Sequence, residues 1–254
     1  VTERIQKNQY DEYLRERKMK SFLLAGQSNM AGRGDFGEVP EIVNEKCFML
    51  RMGRWQRMSE PINPDRAIFG EFHSGVGLSA SFADRFAREF GTGIGLIPCA
   101  DGGTRIKQWK PGEILFDHAV MMTKLAMRTS EFAGILWHQG ETDSIDFDAA
   151  EYKKDLIETL TSMRSDLGAE NLPIVIGEIS EKIDVSKKPR ALHEVNLVLH
   201  EVANVLPLCG IASSEGLGIK SDGIHFSSAS CRILGERYFE VYKSIIMRNW
   251  SAFD

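Results

Sequence analysis

The stretch Lys20-Ser21-Phe22-Leu23-Leu24-Ala25-Gly26-Gln27-Ser28-Asn29-Met30 decides how the rest of the chain is read. Ser21–Ala25 is short, apolar and closed by a glycine, the pattern of an interior parallel strand buried on both faces. Gly26 permits a sharp turn. Ser28 then stands just beyond the strand end, where open α/β sheets place their ligands. A serine here has two readings. It is either a helix N-cap, or a residue whose unpaired backbone N–H faces an incoming oxyanion. The stretch alone leaves both open.

Outward from it, apolar runs alternate with helical patterns. Gly93–Cys99, Gly134–Trp137, Pro173–Ile179 and Leu208–Ala212 read as four further strands. Leu78–Phe90 carries Leu78, Phe82, Phe86 and Phe90 at four-residue spacing and stops at Gly91, which predicts an amphipathic helix. Leu115–Arg128, Phe147–Leu167, Pro189–Val205 and Ser228–Arg248 read as the other helices, the last with Ile233, Leu234, Tyr238, Val241 and Ile245 inward. The alternation predicts a three-layer α/β/α sandwich on a five-stranded, mainly parallel sheet. Right-handed crossovers favour the flavodoxin-like order 2-1-3-4-5. Residues 1–19 read as a polar helical extension and 20–254 as one domain. The irregular stretch 31–76 reads as a pocket wall. In it, Cys47–Arg51 and Trp55–Met58 flank Met52-Gly53-Arg54 as a small hairpin, and Arg51, Arg54, Trp55, Arg66 and His73 are candidate wall residues.

Bulk properties exclude some classes. The net charge of −5, with 31 basic against 36 acidic residues and no basic stripe, argues against a nucleic-acid partner. No run approaches 18 apolar residues, so no membrane span is expected. Cys47, Cys99, Cys209 and Cys231 are scattered without C-x-x-C spacing and read as buried free thiols of a reducing compartment. The first residues lack an apolar run like that of a signal peptide, so the cytoplasm is expected rather than export.

The chemistry converges on three loops. In the expected strand order, Ser28 follows the first strand, Gly103 the second and Gln139 the third, and these strands are neighbours. Serine-based ester hydrolysis needs a nucleophile, a base, a group that orients the base, and donors for the oxyanion. Ser28 suits the first role. Its own N–H, the N–H of Gly103 and the side-chain amide of Gln139 suit the last. Of six histidines, His118, His193 and His200 fall inside helices, and His138 reads as a supporting residue. His225 stands in Asp222-Gly223-Ile224-His225, just before the final helix. A D-x-x-H turn lets the carboxylate hold imidazole Nδ1–H and leaves Nε2 for the serine. Glu141 is expected to support Gln139 or tie loops together, with the orienting role assigned to Asp222 as the alternative. Arg105, Trp109 and Arg66 are candidate substrate contacts, with packing beneath the loop as the competing reading for Trp109. A G-x-S-x-G elbow is absent, which argues against an ordinary α/β-hydrolase.

Gly26-Gln27-Ser28-Asn29-Met30, Gly102-Gly103-Thr104 with Trp109, Trp137-His138-Gln139-Gly140-Glu141 and Asp222-Gly223-Ile224-His225 together resemble the motif set of SGNH hydrolases. The resemblance is to the branch of sialate O-acetylesterases and the acetylxylan esterases of carbohydrate esterase family six, and it runs from Lys20 to the C-terminal helix. It implies a five-stranded α/β/α fold, no metal or other cofactor, and removal of acetyl groups from sugars. It implies Ser28 as nucleophile with His225 and Asp222 completing the triad, and Gln139 in the place of the family's oxyanion-hole Asn. The expected partner is a small-molecule or oligosaccharide acetyl ester. Competing functions are a lipase or thioesterase acting on longer acyl chains, an inactive sugar-binding protein, and a metal hydrolase, for which ligand spacing is lacking. Arg33, Arg51, Arg54, Arg66 and Arg105 suit a sialate carboxylate, but with no placement for them neutral xylan-type esters are expected first.

Overall fold

A computed structural model describes residues 19–64, 73–186 and 189–250. The expected extension over residues 1–19 lies, apart from Met19, outside the described residues, as does Arg66. The strands are β1 (Lys20–Gly26), β2 (Cys47–Arg51), β3 (Arg54–Arg57), β4 (Ile94–Pro98), β5 (Glu131–His138), β6 (Ile174–Gly177) and β7 (Cys209–Ala212). The helices are α1 (Ser28–Ala31), α2 (Leu78–Phe90), α3 (Ile114–Ala126), α4 (Ala149–Leu167), α5 (Leu192–Val205) and α6 (Ser228–Trp250). A 3-10 turn covers Ile106–Trp109.

The sheet order is β3-β2-β4-β1-β5-β6-β7. The five strands read from the sequence are β1, β4, β5, β6 and β7, and they lie in the expected order with β1 between β4 and β5, all parallel. The sheet nevertheless has seven strands rather than five. The small hairpin joins its edge: β2 runs parallel to β4, pairing Cys47 with Ile94 and Met49 with Leu96, and β3 alone is antiparallel. Met52 and Gly53, both with positive φ, make the two-residue turn, whose twist matches that of the strands. Trp55 lies over Gly95 of β4, where an added Cβ would come within 2.5 Å of its ring. That cover secures the edge.

Both sheet faces are covered, which is why the strands are almost uniformly apolar. Along β1, Leu23 and Ala25 enter one core with α3, α4 and α5, while Phe22 and Leu24 enter the other with α2 and α6. This is the two-residue alternation of a strand. Phe22 meets Phe82 and Phe86 of α2 and Tyr242 of α6 edge-on at 5.0–5.2 Å between ring centroids. In α6 the inward stripe is Leu234, Tyr238, Tyr242 and Ile245, with Phe239 beside it, whereas Ile233 is 45% exposed. Its hundred-degree offset from Leu234 turns it out of the stripe. Cys47, Cys99 and Cys231 are buried free thiols, and Cys209 is a half-buried one. No helix among the described residues is long and apolar enough to cross a membrane.

The α2–α6 contact closes at Gly235. A Cβ there would lie 1.9 Å from the Leu78 carbonyl oxygen and 2.2 Å from Ser81 Oγ. Gly235→Ala is expected to lower the unfolding free energy by about 1–3 kcal/mol through overpacking. Urea denaturation reads this out, and a midpoint equal to that of the parent protein would show that the two helices separate without cost.

Candidate active site

β1 ends against β5 at its last residue. Gly26 has φ +123°, and a side chain there would meet the His138 carbonyl at 2.1 Å. Only glycine allows the chain to lie this close and still turn. The Gln27 N–H donates to His138 O at 2.8 Å, and the one-turn helix α1 begins at Ser28. The Ser28 N–H donates to no group among the described residues.

A cavity of about 330 Å³ opens at this end of the sheet, with Ser28, Gly102, Gly103 and His225 in its wall. Ser28 Oγ lies 3.0 Å from His225 Nε2, and His225 Nδ1 lies 2.9 Å from Asp222 Oδ2. The other carboxylate oxygen of Asp222 accepts the N–H groups of Ile224 (2.9 Å) and His225 (3.0 Å), which fixes the D-x-x-H turn. Burial of Asp222 opposes its charge, but these N–H donors and the imidazole outweigh burial and hold the carboxyl below its usual range. The order Ser28–His225–Asp222 is thus one hydrogen-bonded line across 197 residues of sequence.

Gly102 and Gly103 both line the cavity, in different ways. A Cβ on Gly102 would touch Ser28 Cβ at 3.4 Å and the Arg33 guanidinium at 2.8 Å, so its lack of a side chain leaves room beside Ser28. Gly103 has φ +74° and faces open space, and its N–H donates to no group among the described residues.

Gln139 departs from expectation. Its side chain is fully buried and is not part of the cavity wall. Its Nε2 donates to Thr104 O at 3.1 Å and makes a very short contact with Asp143 Oδ2, while its Oε1 accepts from Tyr152 OH at 3.1 Å. The amide is spent inside the protein and does not reach the cavity.

Trp109 also turns away. It is fully buried, donates to Thr104 Oγ1 at 3.0 Å and packs edge-on against Trp137 at 5.4 Å, so it lies beneath the glycine loop and outside the cavity wall. Arg105 is likewise off the wall, with its guanidinium on Ile145 O at 3.2 Å. Arg51 donates to Pro61 O, Trp55 belongs to the sheet edge, and Arg54 and His73 are exposed. In their place the cavity wall carries Arg33, Asn63, Thr142 and Arg190. Of these, Asn63, Thr142 and Arg190 carried no motif in the sequence, because each reaches the wall from a separate loop. Among the described residues no three His, Cys, Asp or Glu side chains gather as a metal site.

Below the cavity lies a buried polar cluster. Asn29 Nδ2 donates to Glu141 Oε1 at 2.5 Å, and Asn29 Oδ1 accepts the Phe226 N–H at 3.1 Å. His138 Nε2 faces the same Glu141 oxygen at 3.2 Å. Tyr238 gives its proton to Trp137 O at 2.8 Å, so its oxygen accepts from His138 Nδ1–H at 3.0 Å. Gly177 makes room for that meeting, since a Cβ there would lie 2.1 Å from the Tyr238 hydroxyl. Burial opposes the Glu141 charge, but the facing His138 and the Asn29 amide hold its carboxyl below the usual range.

Two outcomes follow from this geometry. Asn29→Ala strands the Phe226 N–H and removes a donor from Glu141, each costing about 1–3 kcal/mol. A lower urea midpoint together with slower turnover is expected, and turnover equal to the parent's would show that the two loops hold their places without Asn29. The depressed Asp222 carboxyl contributes stability that is full above the unfolded value of about 3.9 and is lost as pH falls through the lower folded value. The stability gap between the parent and Asp222→Asn is therefore expected near neutral pH and should close in strong acid. A gap that widens in acid would contradict it.

The family described as carbohydrate esterase, sialic acid-specific acetylesterase matches residues 18–244. A probable carbohydrate esterase of Arabidopsis thaliana is 32% identical over 243 residues, covering 88% of this chain and 90% of that protein. The X-ray structure of the Arabidopsis protein superposes with a TM-score of 0.76 at 30% identity, covering 89% of this chain and 98% of that one. NanS shares the fold with a TM-score of 0.72 at 15% identity, covering 91% and 99% of the two chains. A lipase/acylhydrolase from Enterococcus faecalis shares it with a TM-score of 0.52 at 15% identity over 89% and 96%. The chain thus belongs to the sialic acid-specific acetylesterase family of carbohydrate esterases.

Proposed function

We propose that this protein is a serine esterase that removes O-acetyl groups from sugars through an acetyl-serine intermediate. The observation that supports this reading is the line Ser28–His225–Asp222 beside two backbone N–H groups, those of Ser28 and Gly103, that have no other partner among the described residues.

His225 Nε2 takes the proton of Ser28 Oγ as the oxygen attacks the acetyl carbonyl carbon. Asp222 holds Nδ1–H and offsets the charge that the imidazole gains. The carbonyl oxygen becomes an oxyanion and accepts from the Ser28 and Gly103 N–H groups. The bond from the carbonyl carbon to the sugar oxygen then breaks, and that oxygen takes the proton from His225 Nε2. Water gives a proton to the same nitrogen and attacks the acetyl-serine. Acetate leaves and Ser28 Oγ recovers its hydrogen.

The cavity suits a short acyl group on a polar carrier. The cavity is about 330 Å³, and the polar groups of Arg33, Asn63, Asp101 and Arg190 on its wall suit the hydroxyls of a sugar. Arg33 and Arg190, beside Asp101 and Glu141 on the same wall, suit a sugar carboxylate, and this supports O-acetylated sialic acid over neutral acetylated xylo-oligosaccharides, the reverse of the order expected from the sequence. The four free thiols suit a reducing compartment.

Acetate release is to be measured from O-acetylated sialic acid and from acetylated xylo-oligosaccharides in parallel, with Ser28→Ala as control. Faster release from the sialate and its near-complete loss in Ser28→Ala are expected. Turnover above a few per cent in that variant would overturn the nucleophile assignment. Faster cleavage of octanoyl than acetyl esters would replace the sugar reading with a lipase one. Asp222→Asn is expected to lower kcat by up to about 10⁴-fold, because the imidazole loses the partner that sets its tautomer.

A further inference from the structure

We infer that the side-chain amide of Gln27, and not that of Gln139, is the third donor to the oxyanion. The inference rests on the esterase reading above and concerns the residue that precedes Ser28.

The two glutamines sit side by side, and their hydrogen bonds separate them. An amide NH₂ carries two hydrogens. Those of Gln139 face three acceptors: Thr104 O, Asp143 Oδ2 and, at 3.4 Å, Gln27 Oε1. None remains for a ligand, and the residue is fully buried away from the cavity.

Gln27 is the converse case. Three N–H donors converge on its Oε1: Gly140 N at 3.4 Å, Thr142 N at 3.3 Å and Gln139 Nε2 at 3.4 Å. An atom facing three donors must be the oxygen, so the amide has one orientation, with Nε2 on the other prong. That Nε2 donates to no group among the described residues. The side chain is only 2% exposed, yet Gln27 is part of the cavity wall beside Ser28, and its Nε2 is not among the polar atoms sealed off without a partner. An amide NH₂ without a protein partner in the wall beside the nucleophile is available to an acceptor in the cavity, and the oxygen that gains charge as Ser28 attacks is such an acceptor. Gln139 then positions Gln27, with Tyr152 OH behind it.

The test uses the full chain and 4-nitrophenyl acetate. Gln27→Glu keeps an oxygen for Gly140, Thr142 and Gln139 but removes the N–H donors. Gln27→Ala removes both, and Ser28→Ala is the blank. Both Gln27 variants are expected to lose about 10²–10³-fold in kcat with little change in KM, the usual cost of one oxyanion donor. The ratio of Gln27→Glu to wild type is expected to rise as pH falls, because the introduced carboxyl becomes an O–H donor when protonated. A Gln27→Glu kcat within about tenfold of wild type, constant with pH, would mean that Gln27 only ties down the 140–142 loop, and it overturns the assignment while leaving the esterase intact. Absence of any Ser28-dependent turnover in the wild type overturns the esterase reading and the Gln27 assignment together.

Discussion

The Asn29 side chain joins two parts of the chain that are 197 residues apart. Its nitrogen holds Glu141 beyond β5, and its oxygen holds the Phe226 N–H, one residue past His225. The joint lies next to the 3.0 Å approach of His225 to Ser28, since Asn29 follows Ser28 and Phe226 follows His225. A single amide that satisfies a donor and an acceptor at once defines a distance, which an apolar contact of the same area would leave free to slide.

The joint works because the sheet brings its loops to one place. β1 is the middle strand, flanked in parallel by β4 and β5, so the loops after all three open at the same end. Close approach is then a matter of small residues: Gly26 against the His138 carbonyl, and Gly102 against Ser28. Large residues stand behind them, with Trp109 and Trp137 packed edge-on beneath the glycine loop. The division is physical. Backbone that must approach other backbone cannot carry a Cβ, and backbone that must stay still needs bulk beneath it.

Two carboxylates near the site show how surroundings divide labour. Asp222 is partly open, bound by two backbone N–H groups, and presents its second oxygen to the imidazole. Glu141 is buried, bound by Asn29 and faced by His138, and acts as a tie between loops. Both are held below the ordinary carboxyl range although burial pushes each the other way. A buried charge persists where donors surround it, and its loss would leave those donors unpaired.

The sequence by itself determined the five parallel strands, their order and the meeting of Ser28, Asp222 and His225. These rest on short-range signals: apolar runs closed by glycine, helical spacing, and a four-residue D-x-x-H turn whose hydrogen bonds are local. It also contained the hairpin, but not its attachment to β4, which depends on Trp55 covering Gly95 some forty residues away. Only the tertiary structure decided which way the long side chains of the loops turn. Trp109, Arg105 and Gln139 look alike in sequence whether they face ligand or core. They face inward because Thr104, Ile145 and Asp143 offer them partners there. Gln27 Oε1 takes its partners from the backbone N–H groups of Gly140 and Thr142, far along the chain. Strand and turn identity is written in neighbours along the chain, whereas the direction of a polar side chain is set by the partners that folding brings to it.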